Sequence, residues 1–403
     1  MNVLIAIPFP GPQGCRRRWL AAWVALLCVE SCLVAAATTQ PATMDVPAAT
    51  FPRIAMLWSP AEGGKGYEIS RILDNVARHQ LIVLSPKDMG LEWVKTQYAG
   101  QAEAFEPASV AAARKTLAGI RKLNPVAVVL LELYFFEQPE THYPDDCLWW
   151  LRDRKGQKRR FWPGTYQMDT SDPAYASHIV RKVMAVRDAF DGQVGIFFDN
   201  VRFDAASKQA WVALLGQMRL LCGEIPVLVN AGFDRQDPTW LCPLVNGFLY
   251  EDSVAYTADG DTEAFYADIA AHERRLRPPA ISVNERYGPP TDPARMRQEL
   301  IRTLVYTNMG YLYATSTHGH DHAWWPEWNV PLGPAKEAPA AVAKGRLARR
   351  RFAGGQALWL PASAPSPARI TLDHPMIDAF TNQPLSDVTL APGSGTILLE
   401  KSP

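Results

Sequence analysis

The 403-residue sequence has no net charge, with 41 Lys and Arg against 41 Asp and Glu. Lacking a field of one sign, it has little with which to gather a polyanion, and a nucleic-acid partner is disfavoured. Beyond residue 37 there is no run of about 18–20 apolar residues, so no membrane-spanning helix is expected. Glycine-rich cofactor loops are missing as well. The first strand-like segment is followed by Pro60-Ala61-Glu62-Gly63-Gly64-Lys65-Gly66, which is neither GxGxxG nor a P-loop. There is no CxxC pair, no Cys/His spacing of the zinc type and no GxSxG elbow. These gaps exclude nicotinamide and nucleotide chemistry and elbow-type serine hydrolysis, and no cofactor is expected. At 48% hydrophobic and 20% charged residues, wholesale disorder and coiled coil are excluded too. What the chain holds in excess is Trp, with 13 residues, and Pro, with 33 against an ordinary share of about 5%. Trp pairs a broad apolar face with a polar edge, which suits core packing and stacking on sugars alike.

The N-terminus reads as an export signal. Arg16-Arg17-Arg18 precede an apolar run over 19–27 that resumes after Glu30 and Ser31, and the segment ends Ala35-Ala36-Ala37. Basic, apolar and small residues in that order mark a signal peptide at 1–37, and the run is too short and interrupted to span a bilayer. Residues 38–50 follow as a leader, and the protein is expected to be periplasmic or secreted. Glu30 spoils the lipoprotein-like box ending at Cys32. Cleavage leaves Cys147, Cys222 and Cys242, an odd number for an oxidising compartment, with Cys222–Cys242 the expected pair.

Apolar runs of strand length then recur at 53–59, 81–85, 126–136, 194–201, 227–232, 247–253, 279–285 and 310–316. Continuous rather than alternating apolarity marks strands buried on both faces, as in parallel sheets. Helical segments separate them at 67–79, 108–123, 175–190, 207–222, 262–276 and 293–306. This alternation predicts an α/β fold, a (β/α)8 TIM barrel over 51–330. An open doubly wound sheet would have fewer strands and a glycine fingerprint after the first. Residues 331–344 form an Ala/Pro-rich linker. Short alternating runs at 351–360, 368–372, 388–391 and 396–400 predict a small C-terminal antiparallel β domain over 345–403.

Barrel chemistry collects at the C-terminal ends of the strands. Read there, the strands give Glu132, Asp199 with Asn200, Asn230, Glu251 with Asp252, and Asn284 with Glu285. A His-rich loop, His318-Gly319-His320-Asp321-His322, follows the eighth strand. A carboxylate ending an apolar strand costs several kcal/mol to desolvate without a partner. A structural ion pair or helix cap accounts for any one of them, but not for several converging on one rim. Two carboxylates flanking a scissile bond are the equipment of glycoside hydrolysis. The long excursion over 137–193 carries Trp149, Trp150 and Trp162, and Trp324, Trp325 and Trp328 follow the His-rich loop; about two of these six suit sugar stacking. No metal is expected, because barrel zinc hydrolases spread their ligands over several strand ends and the remaining histidines do not occupy such positions. The basic run at 152–160 reads as a solvated hairpin, and Arg349-Arg350-Arg351 as a charge run at the domain junction.

Several of these residues fall into a pattern. Phe161-Trp162-Pro163-Gly164-Thr165-Tyr166-Gln167-Met168-Asp169, then Asp172-Pro173, then Gly195-Ile196-Phe197-Phe198-Asp199-Asn200-Val201, then Asn230 and Glu251, resembles the barrel glycoside hydrolases around family 114. Those are endo-α-1,4-polygalactosaminidases and their relatives, and the resemblance spans about 126–255. It implies a carbohydrate substrate, a polysaccharide or oligosaccharide, with amino-sugar-rich glycans among the candidates. It also implies Asp199 as nucleophile and Glu251 as acid/base, since related retaining α-glycosidases place these on strands four and six. Around them, Glu132, Trp162, Asp169, Asn200, Asn230, Asn284, Glu285, His318 and Trp324 are expected to bind substrate. Asn200 and Asn230 would contact hydroxyls or orient Asp199, Glu132 would tune it, and Tyr134 and Tyr250 would wall the pocket. The non-enzymatic alternative is an idle barrel serving as the polysaccharide-binding module of an envelope or export system.

Overall fold

The computed structural model describes residues 49–61, 69–202, 204–230, 232, 238–252, 262–315 and 320–401. The expected signal and most of the leader lie outside the described residues, as does His318. No described helix is long and apolar enough to cross a membrane.

Eight strands form one parallel sheet: β1 (Ala55–Leu57), β2 (Leu81–Leu84), β3 (Val128–Leu133), β4 (Gly195–Phe198), β5 (Val227–Asn230), β6 (Gly247–Glu251), β7 (Val283–Tyr287) and β8 (Gly310–Ala314). The sheet closes on itself: Tyr311 N donates to Arg53 O at 2.8 Å, and Ile54 pairs with Tyr311 in parallel. Each strand is buried along its whole length, as the unbroken apolar runs require. Gly247 starts β6 where a Cβ would lie 2.6 Å from Ser282 N, and at Gly195 a Cβ would lie 2.7 Å from Pro226 O. Neighbouring backbone leaves no room for a side chain at either strand start.

Among the described residues the helices are α1 (Leu73–Val76), α2 (Pro107–Leu123), α3 (Pro173–Ala189), α4 (Ala205–Cys222), α5 (Thr262–Glu273) and α6 (Pro293–Tyr306). Asp172, Asp204 and Asp292 accept first-turn backbone N–H groups of α3, α4 and α6, with Pro173 and Pro293 opening their helices. The Asp172-Pro173 motif is therefore a helix start. The helix expected over 67–79 is, within its described part, a 3-10 turn and the single turn of α1.

Five strands follow: β9 (Ala348–Phe352), β10 (Gly355–Leu360), β11 (Ala368–Asp378), β12 (Pro384–Leu390) and β13 (Ser394–Leu399), forming an antiparallel sheet in the order β9-β10-β13-β11-β12. Phe352, Ala357, Trp359 and Ile397 merge into the barrel's apolar core, while Leu358, Val388, Leu390 and Leu398 form a smaller core of their own. The junction is more specific than a charge run. Strand alternation turns Arg350 inward, where it donates to Leu304 O at 3.0 Å and to Thr307 O, capping the carbonyl end of α6. Its guanidinium also lies over Phe51 and Phe352, while Arg349 and Arg351 stay exposed. No bond joins Cys222 to Cys242, contrary to expectation. Cys222 ends α4 as a buried thiol, and the Cys242 thiol points to Pro238 O at 3.6 Å.

Candidate active site

Side-chain parity decides what meets inside the barrel. Glu251 and Glu285 are register partners across β6 and β7, as are Tyr250 and Asn284. Successive side chains point to opposite faces, so one pair faces the barrel interior and the other the helices. Tyr250 OH meets His272 Nδ1 at 3.0 Å on α5, and Asn284 Nδ2 donates to Tyr266 OH at 3.1 Å and Thr303 Oγ1 at 2.8 Å. The expected pocket roles of Asn284 and Tyr250 are corrected accordingly: both belong to strand–helix packing. Arg286, beside Glu285, likewise pairs outward with Asp252 at 3.2 Å and Glu299 at 3.5 Å.

Three further candidates contact loop neighbours rather than the carboxylates. Trp162 is 56% exposed, stacked edge-on with Phe161. Asp169 accepts from Ser171 N at 3.1 Å and Ser171 Oγ at 2.5 Å, closing the turn before α3. Trp324 donates to Asn329 Oδ1 at 3.1 Å and packs against His79 and Trp328.

The carboxylates themselves are tightly organised. Asp199 directly follows β4, and Asn230 at the end of β5 donates to its Oδ1 at 2.7 Å. Asn200 Nδ2 donates to Asp199 Oδ2 at 2.9 Å and to Glu137 Oε1 at 2.6 Å. Asn200 does so from a left-handed backbone, φ 55°, a conformation Asn tolerates better than most residues. Each oxygen of Asp199 thus meets an amide donor that adds no charge. Asn230 is in turn anchored by Gly232 N, 2.7 Å from its Oδ1, and lies near enough to Glu251 to favour its charged form. One side chain therefore reaches both expected catalytic carboxylates. Replacing Asn230 with Ala should lower kcat/KM by about tenfold to a hundredfold, the scale of a lost positioning contact; steady-state kinetics with an unchanged melting curve checks it.

The side chains of Trp58 and Tyr134 lie beside Glu132 and favour its charged form. Trp58, itself at φ 55°, packs against His320 at 4.6 Å and Phe197 at 5.4 Å between ring centroids. Facing Glu251 is a cluster of Glu285, Tyr287 and His320. His320 Nδ1 lies 2.7 Å from Glu285 Oε1, Tyr287 OH donates to Glu285 Oε2 at 3.1 Å, and His320 Nε2 lies 3.8 Å from Glu251 Oε1. Glu251, Glu285 and His320 bring donor atoms within 4.8 Å of one another. Each Glu285 oxygen has one hydrogen-bond partner, which ties Tyr287 and His320 to it.

Sequence reasoning missed Glu137, which is 2% exposed and whose Oε2 has no hydrogen-bond partner among the described residues. It sits on a short strand (Glu137–Pro139) paired with Thr165–Gln167 in the excursion after β3, outside the barrel's repeat. A lone acid ending the apolar run Leu133-Tyr134-Phe135-Phe136 was its only signal. Trp58 and Tyr287 were passed over as ordinary aromatics.

Burial is the largest cause of protonation here. Glu132 and Glu137 are pushed up to about 8, by desolvation first and then by the Asp199 charge. Glu251 is raised to about 7 by desolvation and then by Glu285 and Asp199. Asp199 is also raised by burial, with Asn230 and Asn200 opposing. For His320, burial pulls the pKa down, but the bond to Glu285 and the charges of Glu285, Glu251 and Asp199 outweigh it and the net shift is upward. Acids raised in the folded state add stability that is complete below their ordinary 4.5 and is lost as pH rises through 7–8. The melting temperature should therefore fall between pH 6.5 and 8.5, above the range where the lowered His79 and His142 titrate. Calorimetry on a Glu132→Gln, Glu137→Gln double variant should show a flatter slope.

No family model matches the chain, and no curated protein matches it in sequence. Solved structures do resemble it. An α-amylase from Lactobacillus plantarum aligns with a TM-score of 0.55 at 12% identity, covering 86% of this chain and 97% of that one. The maltogenic α-amylase AmyB from Thermotoga neapolitana gives 0.53 at 10% identity, covering 86% and 97%. The α-amylase from Geobacillus thermoleovorans, complexed with acarbose, gives 0.52 at 12% identity, covering 90% and 96%. At such identities the likeness is one of fold, a (β/α)8 barrel with a trailing antiparallel β domain.

Proposed function

We propose that this protein is an exported glycoside hydrolase that cleaves a polysaccharide or oligosaccharide by a two-carboxylate, retaining mechanism of the family 114 kind. The observation that carries this reading is the unequal pair Asp199 and Glu251, linked through Asn230. Asp199 is held by two amide donors, which favour its carboxylate; Glu251, raised to about 7, keeps its proton near neutrality. Burial raises both acids, but at Asp199 two amide contacts oppose the rise, and such unequal support is the pattern of acid and nucleophile. Glu251 would protonate the glycosidic oxygen while Asp199 attacks the anomeric carbon. The Glu251 carboxylate would then take a proton from water as that water displaces Asp199.

Substrate class follows from charge. Glu132, Glu137, Asp199, Glu251 and Glu285 line one site, against which stand the cations His320 and Arg202. An excess of carboxyl groups, three of them raised by burial to about 7–8 and able to ionise beside an arriving cation, and one with an oxygen lacking a hydrogen-bond partner among the described residues, supports a sugar bearing positive charge, as a de-N-acetylated amino sugar does. Digestion of a glycan library containing acetylated and deacetylated amino-sugar polymers, read by mass spectrometry, tests both claims. Cleavage favouring the deacetylated polymers is the expected result. Binding without cleavage, unchanged in Asp199→Asn and Glu251→Gln variants, would establish the idle-barrel alternative instead.

A further inference from the structure

We propose that His320, locked in place by Glu285, is a positioning residue that stabilises the Glu251 carboxylate formed halfway through turnover. The inference rests on the glycosidase reading above. It starts from hydrogen-bond inventory. Glu285 is fully buried, and its two oxygens face His320 Nδ1 at 2.7 Å and Tyr287 OH at 3.1 Å. Burial raises the Glu285 pKa while the contacts with His320 and Tyr287 oppose the rise; in its carboxylate form it can only accept, and Nδ1 of His320 then carries the proton. That leaves Nε2 as the nitrogen free to gain or lose charge, and it is the one aimed at Glu251, 3.8 Å from Oε1. The ring is held between Trp58 at 4.6 Å and Tyr287 at 6.4 Å, so it cannot readily turn away.

A separation of 3.8 Å is too long for a hydrogen bond and short enough for an ion pair. This suits a group that acts only when its partner becomes charged. While Glu251 is protonated, the imidazolium has little to attract. Once Glu251 passes its proton to the leaving oxygen, a carboxylate appears beside Nε2–H, and the two attract. The Glu251 carboxylate then takes its proton back from water, and no proton moves to or from His320 in either step. Among the described residues, the ionisable groups facing His320 include Tyr287 on β7, which is neutral near pH 7, Glu285 on the same strand, Glu251 on β6 and Asp199 after β4; Glu251 faces the same Glu285 and Asp199. Both neighbours are anions that oppose a second negative charge on Glu251, and His320 is the cation that offsets them.

The test is His320→Gln with an aryl glycoside whose leaving group needs no acid, so that the second step limits turnover. On the natural glycan kcat/KM should fall by about threefold to tenfold, because Glu251 becomes a weaker acid, while kcat on the aryl glycoside, set by Glu251 acting as a base, should not fall. The alkaline limb of kcat/KM on the natural glycan should move up by about one pH unit, because Glu251 loses the cation that favours its charged form. An alkaline limb within about 0.3 unit of wild type, with kcat/KM on the natural glycan unchanged, overturns the proposal. If Asp199→Asn is inactive on both substrates and Glu251→Gln is inactive on the natural glycan, the glycosidase reading survives that failure; if both variants keep wild-type activity on the natural glycan, the reading itself has failed. Should His320→Gln not fold, histidine titration by NMR on the wild type decides. A His320 pKa above the ordinary value of about 6.5 supports the role, and one below it sinks the role.

Discussion

Changing Asp199 to Asn should cut kcat/KM by about four orders of magnitude or more, the scale seen when a nucleophile is removed. The variant should still fold. An amide cannot form the glycosyl ester, and at this position it also changes the charge of the whole rim. Asp199 is the second-largest cause, after burial, of the high protonation range of both Glu132 and Glu137. Removing its charge should move both groups down from about 8, and carboxyl 13C NMR can follow that without turnover. The two readouts separate a lost nucleophile from a collapsed site, because only an intact pocket will report lowered but still elevated carboxyl groups. One of the amide contacts to Asp199 becomes a meeting of donors in this variant, so a modest drop in melting temperature is expected. Retention of more than about a tenth of wild-type kcat/KM would remove Asp199 from the nucleophile's role.

How much of this arrangement was legible in the chain depends on which physical rule governs each residue. Strand position was readable because burial on both faces leaves unbroken apolar runs, and a polar residue ending such a run stands out. Glu132, Asp199, Asn230, Glu251 and Glu285 were all found that way. Parity was not readable, because a continuous apolar run carries no alternation to say which side chains face inward. Asn284 and Tyr250 were lost to that ambiguity, each one residue away from a carboxylate that faces in. The excursion after β3 follows no repeat at all, so the one signal for Glu137, an acid closing the apolar run 133–136, lay beyond the strand end where a site residue is sought. The His-rich loop held a true signal with an indefinite address. His320, not a residue noted for its own position, is the one that reaches Glu251. Its neighbour His322 turns instead to His79, 3.0 Å away between Nε2 atoms, beside Trp324 and Trp328. Arg350 shows the same limit in the C-terminal sheet, where three successive arginines look alike until strand alternation buries the middle one.

Glu251→Gln should lower kcat/KM on the natural glycan by about a thousandfold, within the range lost with a general acid. The size of the loss should depend on the leaving group. A glycosidic alkoxide needs a proton to depart, whereas a nitrophenolate departs without one, so the deficit in kcat/KM should shrink to about tenfold or less on an activated aryl glycoside. Turnover of that substrate should then stall at the second step, since Gln cannot take a proton from water. Azide, a nucleophile that needs no base, should restore kcat and yield the glycosyl azide with retained configuration. Neither effect is expected of Glu132→Gln or Glu285→Gln, which leave the acid in place. The pH profile offers an independent check. Wild-type kcat/KM should decline above about 7, where Glu251 loses its proton, and this limb should vanish in Glu251→Gln. A glycosyl azide of inverted configuration would mean that water, not Asp199, is the first nucleophile. An alkaline limb that persists in Glu251→Gln would move the acid to Glu132, whose pKa of about 8 and place on the strand beside Asp199 make it the next carboxyl group able to donate.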